Sequence, residues 1–558
     1  MDHTDQSLAP DASKVSADQA VIEPALGLGR WAPFNWERLP HSTGIRLFWG
    51  RIVLWVLVLV CVGWTLLATG LFVFVKYRRG FSDVQYSHML FLPWKLDAYR
   101  RAKGEFLIKE GLAKAEAQEW RAAFDLLRPG LLAVPDHREA RLLTARIYLM
   151  AGRPDIARTL LLDGLKTYNG DQLGYLREAL GFFFGLQADE AVIDLTRELR
   201  ARLDAKAPAM RMAVTALAYA YFNRERFDEA EAVLAEEHLL GTPEARFVAA
   251  RISWERGRRA EAVAQLRELA VQMPSEPEAY RTLVVYLRED RRWAEVRRAS
   301  LQRQFMLPED PEAYVDFIAA CAEEGDAARR AETEAAFFEH FGNNTQALLK
   351  LADSAAGAGR IETVRRVAMR CRELGRDEAE SALLLLAAHV EARDYPGLLE
   401  LWSDLRPRTV RWSERHRLMA DGLRAVALYG TGQEVEASIL TQRVAESRLL
   451  PAPLLVSIAR KLLVVGQARE SRRVAAQAGV IDPLYQPALV CTLEVMVADG
   501  DLAGGPALIE RLLGMRKPPT DLLHSLTQAL GSDQYLFLPD RAKAEAEIAG
   551  WLSERKRP

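Results

Sequence analysis

Nine histidines and four cysteines are among the side chains in this sequence with the chemistry to hold a metal or attack a substrate, and their spacing decides whether they do. The histidines are His3, His41, His88, His137, His238, His340, His389, His416 and His524. None stands four residues from another, the spacing that places two imidazoles on one helix face for zinc. Cys61 lies in an apolar run, and Cys321, Cys371 and Cys491 are 50 or more residues apart, with no CxxC pair for zinc or dithiol chemistry. The cysteines therefore read as buried free thiols. Gly357 with Gly359, and Gly430 with Gly432, look like the start of a dinucleotide loop, but each lacks the third glycine and follows a helix pattern, not a strand. No GxxxxGK[ST] run or serine elbow is present. The expectation is a protein that is not an enzyme, with no catalytic, cofactor-binding or metal residues and no evident small-molecule substrate.

Charge narrows the partners further. The 74 basic and 76 acidic side chains leave a formal charge of −2, so no global field draws the chain to nucleic acid. The basic cluster "RRWAEVRR", Arg291 to Arg298, has acidic neighbours and reads as a solvated helix face. "NNT" at Asn343 matches a glycosylation sequon and equally well a helix cap.

The elements carrying these residues repeat. From Ala123, corresponding positions fall at Ala157, Ala191, Ala230, Ala262, Val296, Arg330, Val364, Leu398, Ala437, Ser471 and Gly505, and eight of the eleven steps are 34 residues. Five positions before these anchors stand Gly152, Gly257, Gly325, Gly359, Gly432, Gly466 and Gly500, whereas 35 glycines in 558 residues predict fewer than one by chance. A chain leaving one helix and reversing into the next passes through a left-handed residue, which glycine adopts without a Cβ clash. The glycine column thus marks the turn between a helix A and a helix B. Nine positions before the anchors, Tyr148, Phe182, Tyr221, Leu287, Leu428, Leu462 and Met496 supply large side chains on helix A, and His389 and Cys321 fall in the same column as core residues. Twelve positions after the anchor, Pro135, Pro274, Pro308 and Pro483 end helix B.

These columns resemble the tetratricopeptide repeat family over roughly residues 103–518, in about twelve degenerate units. The family's aromatic near the start of helix A is replaced by Arg141 and Arg246 in two units and kept as Tyr280 and Tyr314 in two others. Arg330 at a small position would cost about 1–3 kcal/mol if forced inward, so that unit is expected to be irregular or shifted to Ala331. The resemblance implies an all-α, TPR-like α-solenoid whose concave face, lined by helix A, binds an extended or helical peptide. Carried over by register, that groove comprises Leu176, Leu180, Phe183, Tyr219, Phe222, Phe247, Arg251, Trp254, Arg281 and Arg288, with packing between adjacent repeats as the alternative role for these residues.

From Ile52 to Val75 no charge interrupts an apolar run. At a rise of ~1.5 Å per residue it spans about 36 Å, enough for a hydrocarbon core of ~30 Å. A cleavable signal peptide has an apolar core of only about 7–15 residues, so a retained single transmembrane helix is expected. Trp31, Trp36, Phe48 and Trp49 before it, and Tyr77, Phe81, Tyr86 and Trp94 after it, suit the headgroup zone. Lys76, Arg78 and Arg79 next to the run favour a solenoid on the cytoplasmic side, and the location expected is a bacterial inner membrane. The organisation expected is a mostly disordered tail over 1–45, the transmembrane helix with flanks over 46–79, a juxtamembrane segment over 80–102, the solenoid over 103–518 and capping helices over 519–558. The function expected is a membrane-anchored scaffold or adaptor for protein partners, touching lipid through one span and no nucleic acid. The alternative is a regulatory component of a cell-envelope assembly or export pathway.

Overall fold

The computed structural model describes residues 22–24, 34–39, 42–81, 84–167, 172–201, 207–236, 239–376 and 378–555. Trp31, His3, His41 and His238 lie outside them. The chain divides into two compact units, Met1–Gly170 and Asp171–Pro558, so the division falls inside the stretch read as one solenoid.

In the first unit, strand Phe34–Leu39 pairs antiparallel with Ile22–Pro24 on one side and Ser42–Leu47 on the other. The tail expected to be mostly disordered up to residue 45 therefore carries a short three-stranded sheet. Helix Trp49–Val73 follows and runs on as a π turn over Phe74–Arg78. Leu57, Leu59, Val60, Leu66 and Leu67 on it are exposed, and the indole of Trp64 donates to the Leu90 carbonyl at 2.6 Å.

Helix Leu92–Glu116 then packs along Trp120–Ala133, and glycine lets the two backbones meet. A Cβ on Gly104 would sit 2.7 Å from Ala133 Cβ and Val134 Cγ2, and one on Gly130 would sit 2.8 Å from Ile108 Cγ1. Gly104→Val should therefore wedge the pair apart and cost about 1–3 kcal/mol, read as faster hydrogen exchange confined to residues 92–133. Exchange at the wild-type rate would mean that the helices do not approach this closely. A second pair, Arg138–Met150 with Pro154–Thr167, follows in this unit.

The second unit is built from helix A and helix B pairs among its described residues. They are Gln172–Gly185 with Asp189–Arg200, Pro208–Asn223 with Phe227–Glu236, Pro243–Glu255 with Arg259–Gln272, Pro277–Glu289 with Trp293–Met306, and Pro311–Glu323 with Ala327–Phe341. Thr345–Gly357 with Ile361–Glu373, Ala379–Glu391 with Tyr395–Leu405, Glu414–Gly430 with Glu434–Glu446, Ala452–Val464 with Ala468–Ile481, and Gln486–Asp499 with Gly505–Leu513 follow. Helices Thr520–Leu530 and Arg541–Arg555 close the end, burying Leu523, Leu526 and Ile548 against Ile509 and Leu512. Each pair hides its apolar face only against its neighbours, the physical basis of a solenoid.

The repeat pattern has direct structural causes. All seven column glycines have positive φ, from 65° at Gly359 to 81° at Gly432 and Gly466. Gln118, Glu225, Arg291 and Arg393 take the same left-handed turn without being glycine. The anchors Ala123, Ala157, Ala230, Ala262, Val296, Val364, Leu398, Ala437 and Ser471 are fully buried. Helices end at Ala133, Gln272, Met306 and Ile481, each two residues before its proline, because the residue preceding proline is pushed out of the helical region. Asn344 caps helix Thr345–Gly357 by accepting from the Ala347 N–H at 3.2 Å.

One unit slips from the register, and another keeps it where a shift was expected. In the unit anchored on Ala191 the left-handed residue is Gln187, one position later than the column requires. Val192 is correspondingly the fully buried small residue, and Phe183, not Phe182, is the buried knob. In the unit anchored on Arg330 no shift to Ala331 occurs: Gly325 keeps its positive φ and Ala331 is exposed. Arg330 is accommodated by leaning outward, with its side chain 36% exposed and its Nε 3.9 Å from the buried Glu334. Where the aromatic of helix A is missing, Arg141 is itself buried and donates to the carbonyls of Leu160 and Pro135 at 2.8 and 2.5 Å.

Candidate protein-binding groove

Four successive A helices, Gln172–Gly185, Pro208–Asn223, Pro243–Glu255 and Pro277–Glu289, turn one face toward a groove of about 700 Å³. Its lining is chiefly apolar, with Leu173, Leu180, Phe184, Met212, Tyr219 and Phe247 prominent. Arg177 and Arg211 stand at one side, and Glu244, Glu276 and Glu278 at the other. Such a surface, apolar within and charged at its edge, is the usual chemistry of a peptide site.

Of the residues expected to form the groove, Leu180, Tyr219 and Phe247 line it. Arg251 lies behind them, donating to the Tyr219 hydroxyl at 2.8 Å with its guanidinium 4.5 Å from the centre of the Phe222 ring. Leu176, Phe183 and Phe222 are fully buried between helices, and Trp254 is buried with its ring stacked 4.1 Å from Tyr286. Burial pushes the Tyr286 hydroxyl up to about 12. Arg281 is engaged by Glu312 in two hydrogen bonds from Nε, at 2.8 and 3.0 Å, and one from Nη2 at 2.9 Å. Arg288 donates to the buried Asp316 at 2.6 Å. The one-residue slip explains the displacement in the first helix. Advancing Leu176, Leu180 and Phe183 by one gives Arg177, Gly181 and Phe184, all of which line the groove.

A second groove of about 870 Å³ lies on the same face of helices Thr345–Gly357, Ala379–Glu391, Glu414–Gly430 and Ala452–Val464. The sequence reading stopped short of it. The signal was available: the offsets that select Phe247, Arg251 and Trp254 from Ala262 select Leu349, Asp353 and Ala356 from Val364, and Leu383 and Ala387 from Leu398, and these five line it. Its far wall is held by Lys461, whose ammonium lies 2.6 Å from Glu391.

His389 and three of the four thiols are taken up in packing. His389 is buried with its Nδ1 2.8 Å from Asp394 Oδ2, Cys321, Cys371 and Cys491 are buried free thiols, and Cys61 is exposed on the apolar helix. Burial pushes the Cys491 thiol up to about 11.

Repeated helix-turn-helix pairs with left-handed turns at a fixed column define a tetratricopeptide-type α-solenoid. No family model matches the chain, and no curated protein matches its sequence. Among solved structures it is similar to "Structure of Naa15/Naa10 bound to HypK-THB" at 16% identity and a TM-score of 0.28, covering 86% of this chain and 80% of that one. It is also similar to "Crystal Structure of the Yeast Tom70" at 11% identity and a TM-score of 0.29, over 81% of this chain and 99% of that one. "Crystal structure of APC/C hetero-tetramer Cut9-Hcn1" matches at 11% identity and a TM-score of 0.24, over 83% and 98%.

Proposed function

We propose that the protein is a membrane-anchored adaptor whose groove over residues 172–289 binds an extended or helical segment of a protein partner. The observation that carries this reading is the groove itself: consecutive A helices leave Met212, Tyr219 and Phe247 partly exposed on one apolar surface, with Leu180 at its base. The anchor rests on helix Trp49–Arg78, with a mean hydropathy of 2.5 and 6% of its most apolar window buried. A helix with that much uncovered apolar surface needs lipid or protein around it. Confinement to a bilayer surface raises the effective concentration of any membrane-bound partner.

A photoactivatable residue at Thr215 in intact membranes should crosslink one defined partner. Phe247→Ala should weaken that capture by roughly tenfold, as truncation of an aromatic anchor does, while leaving helicity intact. Undiminished capture by Phe247→Ala would discard this groove. Protease access to sealed vesicles would assign the side on which the solenoid lies.

A further inference from the structure

The loop after helix Gly505–Leu513 returns to repeats that precede it by more than 250 residues in sequence. Arg516 grips Asp189 with two hydrogen bonds, Nε to Oδ2 at 2.8 Å and Nη2 to Oδ1 at 2.7 Å, and Nη2 also donates to the Phe184 carbonyl at 3.1 Å. Asp189 has no exposed side-chain surface, and Asn223 Nδ2 donates to its Oδ1 at 2.9 Å. One residue on, the Lys517 ammonium lies 4.0 Å from the centre of the Phe222 ring and pairs with Glu255. From the other side, Arg224 donates to the Gly514 carbonyl at 3.1 Å. Farther back along the chain, the Gln187 amide donates to the Leu484 carbonyl at 2.9 Å.

These contacts share one feature. Phe184 with Asp189, Phe222 with Arg224, and Glu255 stand at the C-terminal ends of three consecutive A helices, or in the turns just after them. Those three helices also build the groove. Repeats in a solenoid contact only their neighbours, so their relative tilt is soft, and a single segment tied to three of them at once removes that freedom. The segment is itself held in an unfavourable conformation. Lys517 is a non-glycine residue with φ 45°, and burial lowers its ammonium pKa against the pull of Glu255. Backbone strain at a residue persists where surrounding contacts over-determine it.

We propose that Gly514–Pro519 is a clamp supplied by the chain itself: a cationic loop seated in a site made by Asp189, Glu255, Phe184 and Phe222, which closes the second unit on itself and fixes the spacing of three of the four A helices that form the groove. Arg516 is the main tie, because it makes a bidentate pair with a buried carboxylate. Lys517 contributes less, because replacing a desolvated ammonium by an apolar isostere costs little when its partner keeps solvent access.

The test is hydrogen exchange on the full-length protein in detergent without any partner, so that its outcome is independent of the groove's ligand. Arg516→Ala should speed exchange by at least about tenfold in residues 514–519 and in the segments 184–190, 222–226 and 254–258, with helices over 345–464 unchanged, as for a local opening. Lys517→Met should leave those segments near the wild-type rate, and Arg516→Lys should fall between. Exchange as slow in Arg516→Ala as in the wild type would overturn the clamp. A rise spread equally over residues 345–464 would overturn it as well, since Arg516 would then be a strut of the whole fold.

Discussion

Phe183→Ala is expected to destabilise the second unit by about 3–5 kcal/mol, the range for a fully buried aromatic truncated in a packed core. Phe184→Ala, one residue on, should cost about 1 kcal/mol, since its ring meets Tyr219 edge to face at 5.2 Å on the groove side and leaves no closed cavity behind. The reasoning is positional. Phe183 is fully buried, nine residues before the fully buried Val192, the same offset that separates Leu287 from Val296 and Leu462 from Ser471. Urea unfolding followed by helical circular dichroism, with hydrogen exchange over residues 172–200 to localise the loss, measures both variants. Equal losses, or a larger one for Phe184→Ala, would restore the register anchored on Ala191.

That single slip shows where the sequence was legible and where it was not. Periodicity marks an element wherever its cause is steric and local. The left-handed turn requires glycine or strains another residue, so the glycine column located the interhelical turns directly. Where Gln187, Glu225, Arg291 and Arg393 take the turn instead, the signal vanishes although the geometry persists. At Gln187 the turn carries no glycine, and Ala191 imitates an anchor one position early. An error of one residue rotates a helix by about 100°, which is enough to exchange Phe183 and Phe184 between core and groove. Arg141 was legible as a departure from the family pattern, but not as a buried donor, because its partners are backbone carbonyls. The contacts of Arg516 with Asp189 span 327 residues, and no periodic argument reaches across the array. Such closure depends on accumulated tilt over many repeats, which residue spacing does not encode.

The repeat bearing Arg330 yields the other large expected effect. Glu334→Ala should cost about 2–3 kcal/mol, because it removes a buried acceptor and leaves the half-buried Arg360 without its counter-charge. Glu334 is 5% exposed. It accepts from Thr363 Oγ1 at 3.1 Å and from Arg366 Nη1 at 3.1 Å. It also faces Arg360, whose guanidinium burial holds below its ordinary range. Glu334→Gln keeps an acceptor for Thr363 and loses only the charge, so its cost should be roughly half that of the alanine variant. Arg330→Ala should change stability by no more than about 0.5 kcal/mol, since surface substitutions away from special features rarely do more and Arg330 has turned outward. The three variants together decide how a large cation is tolerated at a position where other repeats place alanine. If Arg330→Ala proved the costliest of them, the side chain would be a packing element after all. If Glu334→Ala unfolded at the wild-type urea midpoint, the buried carboxylate would not be what reconciles Arg360 and Arg366 with this core. The expected order, Glu334→Ala well above Glu334→Gln and Arg330→Ala near zero, follows from one asymmetry. A solenoid can let a long side chain escape at its edge, but it cannot bring water to a charge already enclosed between two helices.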